Sequence, residues 1–314
     1  MQISVQRCVR LVRRILFGLL FGCSLTGCFS SSDVDSETDS AAFVAEGSYA
    51  TGADDISSLR LISLSPNITE TLFAIHAESC LVAVTDRCDT PSAARQKPCV
   101  GEYGRPNMER ILAFRPTHLL TTERIPADMQ QMLERVGVRV VLLRIGDLES
   151  MYAMFQEVGR LTGRVVEAER LVQTVQDDLT EAKRLIASKF ETPPRLFFEL
   201  WNDPLTTIGR ESYLNDLVVA MGAVNVAAEL QPAYPNVSPE KVPEWNPDFI
   251  LLIYMASIER SDSTSAVDVI SKRIGWRDLR AVRQNRVVDG LPTDLLLRPG
   301  PRLGKGARAV AERL

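Results

Sequence analysis

The sequence predicts an α/β fold in which two Rossmann-like lobes, each with a parallel sheet, are joined by one long α-helix. Short aliphatic segments alternate with helical ones along most of the chain, which is typical of wound parallel sheets. One motif also occurs twice: a Glu, a base and a branched aliphatic residue precede a proline, from Glu109 to Pro116 and again from Glu240 to Pro247. The constant offset of 131 residues, from 109 to 240 and from 116 to 247, indicates two lobes of similar architecture.

Short apolar segments define the predicted strands of the first half. They lie at 59–64, 81–84, 98–101, 117–121 and 138–142. Helices are predicted between them at 69–74, 109–114 and 126–136. Asn107 is the expected N-cap of the second helix, because its side chain can accept a hydrogen bond from a first-turn amide.

The two halves are separated by a helical segment from Val165 to about Phe190. It contains no Pro or Gly, and its apolar residues keep helical spacing. At a rise of ~1.5 Å per residue, such a helix is about 40 Å long, which is more than a small lobe needs. After Pro194 a second alternating series of strands and helices begins. A single stiff connection of this kind argues against a large hinge motion.

The first 57 residues are predicted to lie outside the folded part. Residues 1–27 combine basic, apolar and small residues in the order of a signal peptide, and the apolar run is too short for a permanent membrane span. Residues 28–57 have too little apolar surface to offset the entropy of ordering, which predicts a flexible tether. The first lobe is then expected at 58–163, the linking helix at 164–191 and the second lobe at 192–314.

The end of the leader, Leu25-Thr26-Gly27-Cys28, resembles the lipobox of bacterial lipoproteins. This resemblance implies cleavage before Cys28 and acylation of its sulfur. The protein is therefore expected to be exported and lipid-anchored to a membrane, facing the periplasm or the cell exterior. An ordinary signal peptide with an incidental Cys is the alternative.

The charge balance argues against nucleic acid as a partner. The formal net charge is −4, and the leader holds four arginines and no acid, so removing it gives −4 minus 4, or about −8. No basic stripe remains to bind phosphates.

Three cysteines of the first lobe remain in the mature chain, Cys80, Cys88 and Cys99. Because an exported protein meets an oxidising compartment, one disulfide and one free thiol are expected. Cys80 and Cys99 are both predicted at strand starts, on the same edge of a parallel sheet, and this favours a Cys80–Cys99 disulfide. A zinc site is the alternative, but the spacings match no familiar ligand pattern, so no metal site is predicted.

The segment from Leu61 to Glu70, together with the two Glu motifs, resembles the helical-backbone periplasmic binding proteins. These serve ABC importers of cobalamin, ferric siderophores and haem, and the likeness covers about residues 59–314. It implies a monomeric binding protein that holds its ligand in a cleft at the carboxyl ends of the strands. It also implies that Glu109 and Glu240 dock onto arginines of a dimeric permease. Stabilisation of a helix N-terminus is the alternative role for either carboxylate.

The resemblance also implies a set of cleft residues. The segment from Thr85 to Pro91 is similar to the version common in corrinoid binders, and two tyrosines match positions of pocket aromatics in cobalamin-binding members. A tryptophan after the first strand of the second lobe and a C-terminal loop complete the set. The candidate ligand-binding residues are Arg87, Cys88, Tyr103, Trp201, Tyr234, Asp294 and Arg298.

Capture of a corrinoid such as cobalamin and its delivery to the permease is therefore the predicted function. A ferric siderophore or haem stays open as the ligand, because Arg87, Arg105 and Arg298 can pair carboxylates and Arg87 replaces an expected aromatic. An enzyme is not expected, since no Ser-His-Asp or Cys-His grouping, phosphate-binding Gly loop or metal triad can be assembled. No cofactor is predicted.

Overall fold

The computed structural model describes residues 58–253 and 266–314. The predicted signal peptide at 1–27, the tether at 28–57 and the lipidation site Cys28 lie outside these residues. Among the described residues, no helix has both the length and the apolar character needed to cross a membrane.

The first half forms a four-stranded parallel sheet in the order β2-β1-β5-β6. These strands are β1 Leu61–Ser63, β2 Leu81–Val84, β5 His118–Thr121 and β6 Arg139–Leu142. A hairpin, β3 Gly101–Glu102 with β4 Arg105–Pro106, follows a bridge between Val84 and Cys99 at the carboxyl end of β2. Every residue of β1 and β5 is buried, as expected for central strands covered on both faces.

From residue 61 onwards, this half contains four α-helices and one short 3-10 helix. They are α1 Pro66–Ala74, the 3-10 helix Ser92–Gln96, α2 Met108–Ala113, α3 Ala127–Arg135 and α4 Leu148–Leu161. Asn107 caps α2 as predicted, since its side chain accepts a hydrogen bond from the amide of Arg110 at 2.9 Å. Helix α4 was not predicted from the sequence, although Asp147 and Ser150 form a capping box at its start.

The predicted linking helix is confirmed as α5, Val165–Lys189, with 25 residues. It is flanked by α4 and by the C-terminal helix α11, Leu303–Arg313. Glycines permit both close approaches. A Cβ atom on Gly159 would lie 2.4 Å from the Cβ atom of Ala168, and one on Gly304 would lie 2.5 Å from that of Asp178.

The second half repeats the topology of the first, with strand order β10-β7-β11-β12 in an all-parallel sheet. Its strands are β7 Arg195–Glu199, β10 Val224–Asn225, β11 Phe249–Leu252 and β12 Val287–Val288, with a hairpin of β8 Trp201–Asn202 and β9 Leu205–Thr206. Its helices are α6 Tyr213–Ala220, α7 Lys241–Trp245, α8 Ala266–Ser271, α9 Arg280–Arg283 and α10 Thr293–Leu296. The predicted fold class is therefore confirmed, whereas the exact lobe boundaries stay a prediction.

The largest apolar core runs through both halves. It joins Leu61 of the first sheet and Phe198 of the second through the buried face of α5, which includes Leu179. Two smaller cores cover the opposite faces of the sheets, one around Ile62 and one around Phe197. Because neighbouring strand residues point to opposite faces, each sheet is packed on both sides.

The predicted Cys80–Cys99 disulfide is wrong, because Cys80, Cys88 and Cys99 are all free thiols. Cys80 immediately precedes β2, whereas Cys99 pairs with Val84, the last residue of that strand. Four residues of strand at ~3.3 Å each place the two positions roughly 13 Å apart. A disulfide requires Cα atoms within about 7 Å.

Candidate functional site

A cavity of about 640 Å³ opens between the two sheets, at the carboxyl ends of their strands. The first half contributes Pro66, Asn67, Arg87, Tyr103, Thr122, Glu123 and Ile145, and the second contributes Trp201, Leu297, Arg298 and Pro299. Residues 66, 87, 122 and 145 each follow a strand of the first sheet. Such a position, outside the carboxyl ends of parallel strands, is where open α/β sheets bind ligands.

Four of the seven predicted cleft residues line this cavity. They are Arg87, Tyr103, Trp201 and Arg298. The structure thus brings together residues separated by up to 211 positions, from 87 to 298.

Tyr103 lies in the turn of the first hairpin and is held at both ends. Its amide donates a hydrogen bond to Asp86 Oδ1 at 2.7 Å, and its hydroxyl donates one to Glu123 Oε1 at 2.7 Å. Burial and the adjacent Glu123 carboxylate raise the pKa of Tyr103 to about 12. The phenol is therefore neutral at physiological pH, and its ring is held in a fixed position at the cavity wall.

Trp201 lies in the β8–β9 hairpin of the second half, which follows β7. Its indole Nε1 donates a hydrogen bond to the carbonyl of Asp203 at 2.8 Å, while 46% of the residue is exposed. The polar edge of the ring is satisfied within the hairpin, so the ring face is free to contact a ligand. Each lobe thus brings one aromatic side chain from its own hairpin, and such rings cover flat apolar ligand surface well.

The two arginines of the cavity differ in how much of their charge is matched. Arg298 donates to Asp89 at 2.6 Å, and this hydrogen bond lowers the pKa of Asp89. The Arg87 side chain is 72% exposed, and its Nε atom lies 4.0 Å from a carboxylate oxygen of Asp86. Arg87 is therefore the arginine more available to an anionic group on a ligand.

The other three predicted cleft residues do not line this cavity. Cys88 is 2% exposed, its thiol contacts Thr85 Oγ1 at 3.3 Å, and burial raises its pKa. It faces a separate cavity of about 430 Å³ beside β2, which Cys99 also lines. A small buried thiol of this kind packs against the core instead of meeting a ligand.

Tyr234 and Asp294 have partners within the second half. Burial raises the pKa of Tyr234, and side-chain interactions with Ser212 and Tyr213 oppose this shift. Asp294 lies in the first turn of α10 and accepts a hydrogen bond from Arg302 at 2.8 Å. Both side chains therefore interact within the second half, and neither lines the cavity.

Several residues of the cavity wall were not predicted from the sequence, including Asn67, Glu123, Ile145 and Pro299. Asn67 donates a hydrogen bond to the carbonyl of Pro299 at 3.0 Å, which joins the two halves at the cavity wall. Glu123 lies two residues after the end of the predicted strand at 117–121. Its position as a polar residue shortly after a predicted parallel strand was the signal that could have identified Glu123.

Glu109 and Glu240 are both exposed, and they occupy related places in the two halves. Glu109 is the second residue of α2, and Glu240 immediately precedes α7. These helices lead into β5 and β11, which hold the same place in the two sheets. The Ser238 hydroxyl donates a hydrogen bond to Glu240, and Glu240 itself, not Ser238, is the N-cap residue of α7.

Comparison with known proteins identifies the family. The model of the periplasmic binding protein family matches residues 61–292. The chain belongs to this family. It is the substrate-binding component of an ABC transporter, in the group whose members carry vitamin B12, haem or siderophores.

Two curated relatives extend this finding. An uncharacterised ABC transporter substrate-binding lipoprotein, YvrC of Bacillus subtilis, is 29% identical over 81% of this chain and 79% of its own length. The vitamin B12-binding protein of Vibrio parahaemolyticus is 26% identical over 77% of this chain and 84% of its own.

A solved structure that is similar in fold is named for a different ligand. A periplasmic haem-binding protein from Pseudomonas aeruginosa superimposes with a TM-score of 0.65 at 28% identity, covering 80% of this chain and 91% of that one. Histidine is one of the side chains that bind haem iron. Neither of the two histidines of the sequence lines the cavity. Among the described residues, no group of three or more His, Cys, Asp or Glu side chains is placed to hold a metal ion.

Proposed function

We propose that this protein captures a corrinoid of the cobalamin type in the cleft between its lobes and delivers it to an ABC permease. The pairing of Tyr103 and Trp201 across the cavity carries this proposal. Two aromatic side chains from opposite lobes suit the broad, largely apolar faces of a macrocycle. The polar groups around them, Asn67, Thr122 and Glu123, offer hydrogen bonds to peripheral amides.

A second candidate ligand is a haem or an anionic ferric siderophore. Arg87 favours it, because a largely exposed guanidinium at the cavity wall suits a carboxylate or another anionic oxygen group. The two proposals differ in which side chain dominates affinity. The aromatic pair dominates for the corrinoid, and Arg87 dominates for the anionic ligand.

The test is a thermal-unfolding screen of the purified protein with cyanocobalamin, haemin and a ferric siderophore. A ligand present at a hundred times its Kd adds about 2.7 kcal/mol to the free energy of unfolding. We expect cyanocobalamin to stabilise the protein, and we expect Trp201→Ala and Tyr103→Ala to weaken this effect. Tyr234→Ala is the matched control, because Tyr234 is similarly exposed, at 48%, but does not line the cavity.

Each outcome of the screen has a clear meaning. Stabilisation by haemin or the siderophore alone, weakened by Arg87→Gln, would favour the second candidate. No stabilisation by any of the three would contradict both. We propose binding without catalysis, so the probes should be recovered chemically unchanged, and their turnover would support an enzyme.

We further propose that Glu109 and Glu240 dock onto the permease. Both carboxylates are exposed at related places of the two lobes, which suits a partner with two-fold symmetry. Replacing both by Arg should abolish import and leave cyanocobalamin affinity unchanged. Glu149→Arg, in the exposed first turn of α4, is the matched control and should import normally. Loss of affinity in the double variant would count against a docking role.

Export and lipid anchoring complete the proposal. The leader with its Leu25–Cys28 ending supports them. Cys28→Ser should release the protein from the membrane fraction without changing its affinity for a ligand. Membrane association that persists in this variant would contradict anchoring through Cys28.

A further inference from the structure

The chain crosses from the second half back to the first just before the C-terminal helix. This crossing segment, residues 297–302, supplies Leu297, Arg298 and Pro299 to the cavity wall. It approaches α1 closely, because the carbonyl of Pro299 accepts a hydrogen bond from Asn67 at 3.0 Å. A Cβ atom on Gly300 would lie 3.1 Å from the Cβ atom of Asn67, which is a tight contact and shows how closely the segment approaches α1.

Glu70 of α1 is the main charged partner of the crossing segment. It is 4% exposed and accepts two hydrogen bonds from Arg302, Nε to Oε2 at 2.7 Å and Nη2 to Oε1 at 2.8 Å. Arg302 also donates to Asp294 at 2.8 Å, within its own half. Two parallel hydrogen bonds to one carboxylate fix direction as well as distance, and burial strengthens them.

Asp89 forms the second charged contact, with the cleft-lining Arg298. Their shortest distance is 2.6 Å, and Arg298 also lies 3.6 Å from Glu70. Carboxylates of the first lobe therefore orient a guanidinium that the second half brings to the cavity. Glu70 does not line the cavity itself, so it acts through the two arginines.

We propose that Glu70 and Asp89 lock the crossing segment to the first lobe and thereby set the width of the cleft. Glu70 is the central positioning residue of this lock. The shared apolar core resists separation of the lobes, but apolar packing is not directional. The lock adds directional bonds at the cavity, where a small change in lobe orientation alters the distance between Tyr103 and Trp201 most directly.

The distance between the lobes can be measured on the full chain without a ligand. Met132 of α3 and Ile274 of the second half are 50% and 87% exposed, so both can be replaced by azide-bearing amino acids and spin-labelled. We expect one narrow distance distribution in the wild type. In the Glu70→Gln/Asp89→Asn double variant, the distribution should broaden or shift by about 2 Å or more, the size of an ordinary domain rearrangement.

A matched control uses another arginine–carboxylate pair near the C-terminus. Arg308 lies 3.0 Å from Asp178, and this pair joins α11 to α5 without crossing to α1. Arg308→Gln should leave the distance distribution unchanged. If the double variant fails to fold, Asp89→Asn alone serves, because its side chain is 35% exposed and its loss leaves Glu70 paired with Arg302.

An unchanged distribution in the folded double variant would overturn the lock. Where only Asp89→Asn folds, an unchanged distribution would overturn the proposal that Glu70 and Asp89 set the cleft width together. The measurement involves no ligand, so this result would leave the proposed function intact. Failure of all three ligand probes would, in turn, leave the lock intact.

Discussion

The two lobes share a strand order, but the arginines that pair with their buried glutamates come from different parts of the chain. Glu70 of the first lobe accepts hydrogen bonds from Arg302, which lies beyond the second sheet in the chain. Glu199 of the second lobe is fully buried and accepts two hydrogen bonds of 2.6 Å from Arg273 of the same lobe. Lobes with the same backbone topology therefore need not have the same ion pairs. The arginine described next to Glu199 belongs to the same lobe, whereas Arg302, which pairs with Glu70, comes from the other half of the chain.

The largest expected effect comes from leaving either glutamate without its arginine. Arg273→Met removes two 2.6 Å hydrogen bonds from the buried carboxylate of Glu199, and we expect the free energy of unfolding to fall by about 3–5 kcal/mol. Arg302→Met should cost less, about 1–3 kcal/mol, because Arg298 lies 3.6 Å from Glu70. Urea denaturation of the two variants measures this difference directly.

The exposed ion pair between Arg184 and Glu181 provides the control for these two variants. Arg184→Gln removes an exposed arginine that pairs with Glu181 on α5, and it should not change stability measurably. Equal losses of unfolding free energy in Arg273→Met and Arg302→Met would show that Glu199 and Glu70 depend equally on their arginine partners.

A smaller effect distinguishes the two helices that carry the docking candidates. Asn107→Ala removes the hydrogen bond to the amide of Arg110 and should cost about 1 kcal/mol. Ser238→Ala should cost less, because Ser238 does not cap α7. Thermal unfolding of the two variants tests this order, and a larger loss for Ser238→Ala would reverse it.

The cleft aromatics differ in their response to pH. Because the pKa of Tyr103 is raised from 10.0 to about 12, the stability that its neutral form contributes is present below pH 10.0 and is lost as the pH rises through about 12. Trp201 has no titrating group. Glu123→Gln should lower the pKa of Tyr103 but keep it above 10.0, since burial is the larger cause.

This titration can be followed by NMR of labelled tyrosine. Tyr103→Phe identifies the resonance of Tyr103 by its disappearance. An unchanged Tyr103 pKa in Glu123→Gln would mean that the 2.7 Å contact does not influence the phenol.

The smallest effect concerns thiol chemistry in the first lobe alone. In native protein, iodoacetamide should modify the exposed Cys99 readily and the buried Cys88 slowly, because burial also raises the pKa of Cys88. Peptide mass spectrometry under non-reducing conditions should find no Cys80–Cys99 disulfide. Faster alkylation of Cys88 than of Cys99 would contradict the burial of Cys88.

Periodicity and capping predicted the fold because they are local properties. The linking helix and the Asn107 cap were both found from neighbouring residues. Cys99 was misplaced because a short edge segment carries too little pattern to set its register against β2. Asp294 was misassigned because its partner, Arg302, is brought to it by tertiary structure. The family resemblance therefore placed the cleft at the strand ends, but the sequence did not show which side chains turn away from it.

The contacts of the C-terminal helix with the linking helix have one more consequence. Lys189 donates hydrogen bonds to the carbonyls of Ala311 and Glu312 at 2.9 and 3.0 Å, while Gly304 packs against Asp178. Contacts near both ends fix how many residues lie between them. Inserting one residue into α11 between these contacts would rotate the rest of the helix by about 100°. Insertions and deletions within 304–312 should therefore be tolerated far less than ordinary substitutions on the exposed face of α11.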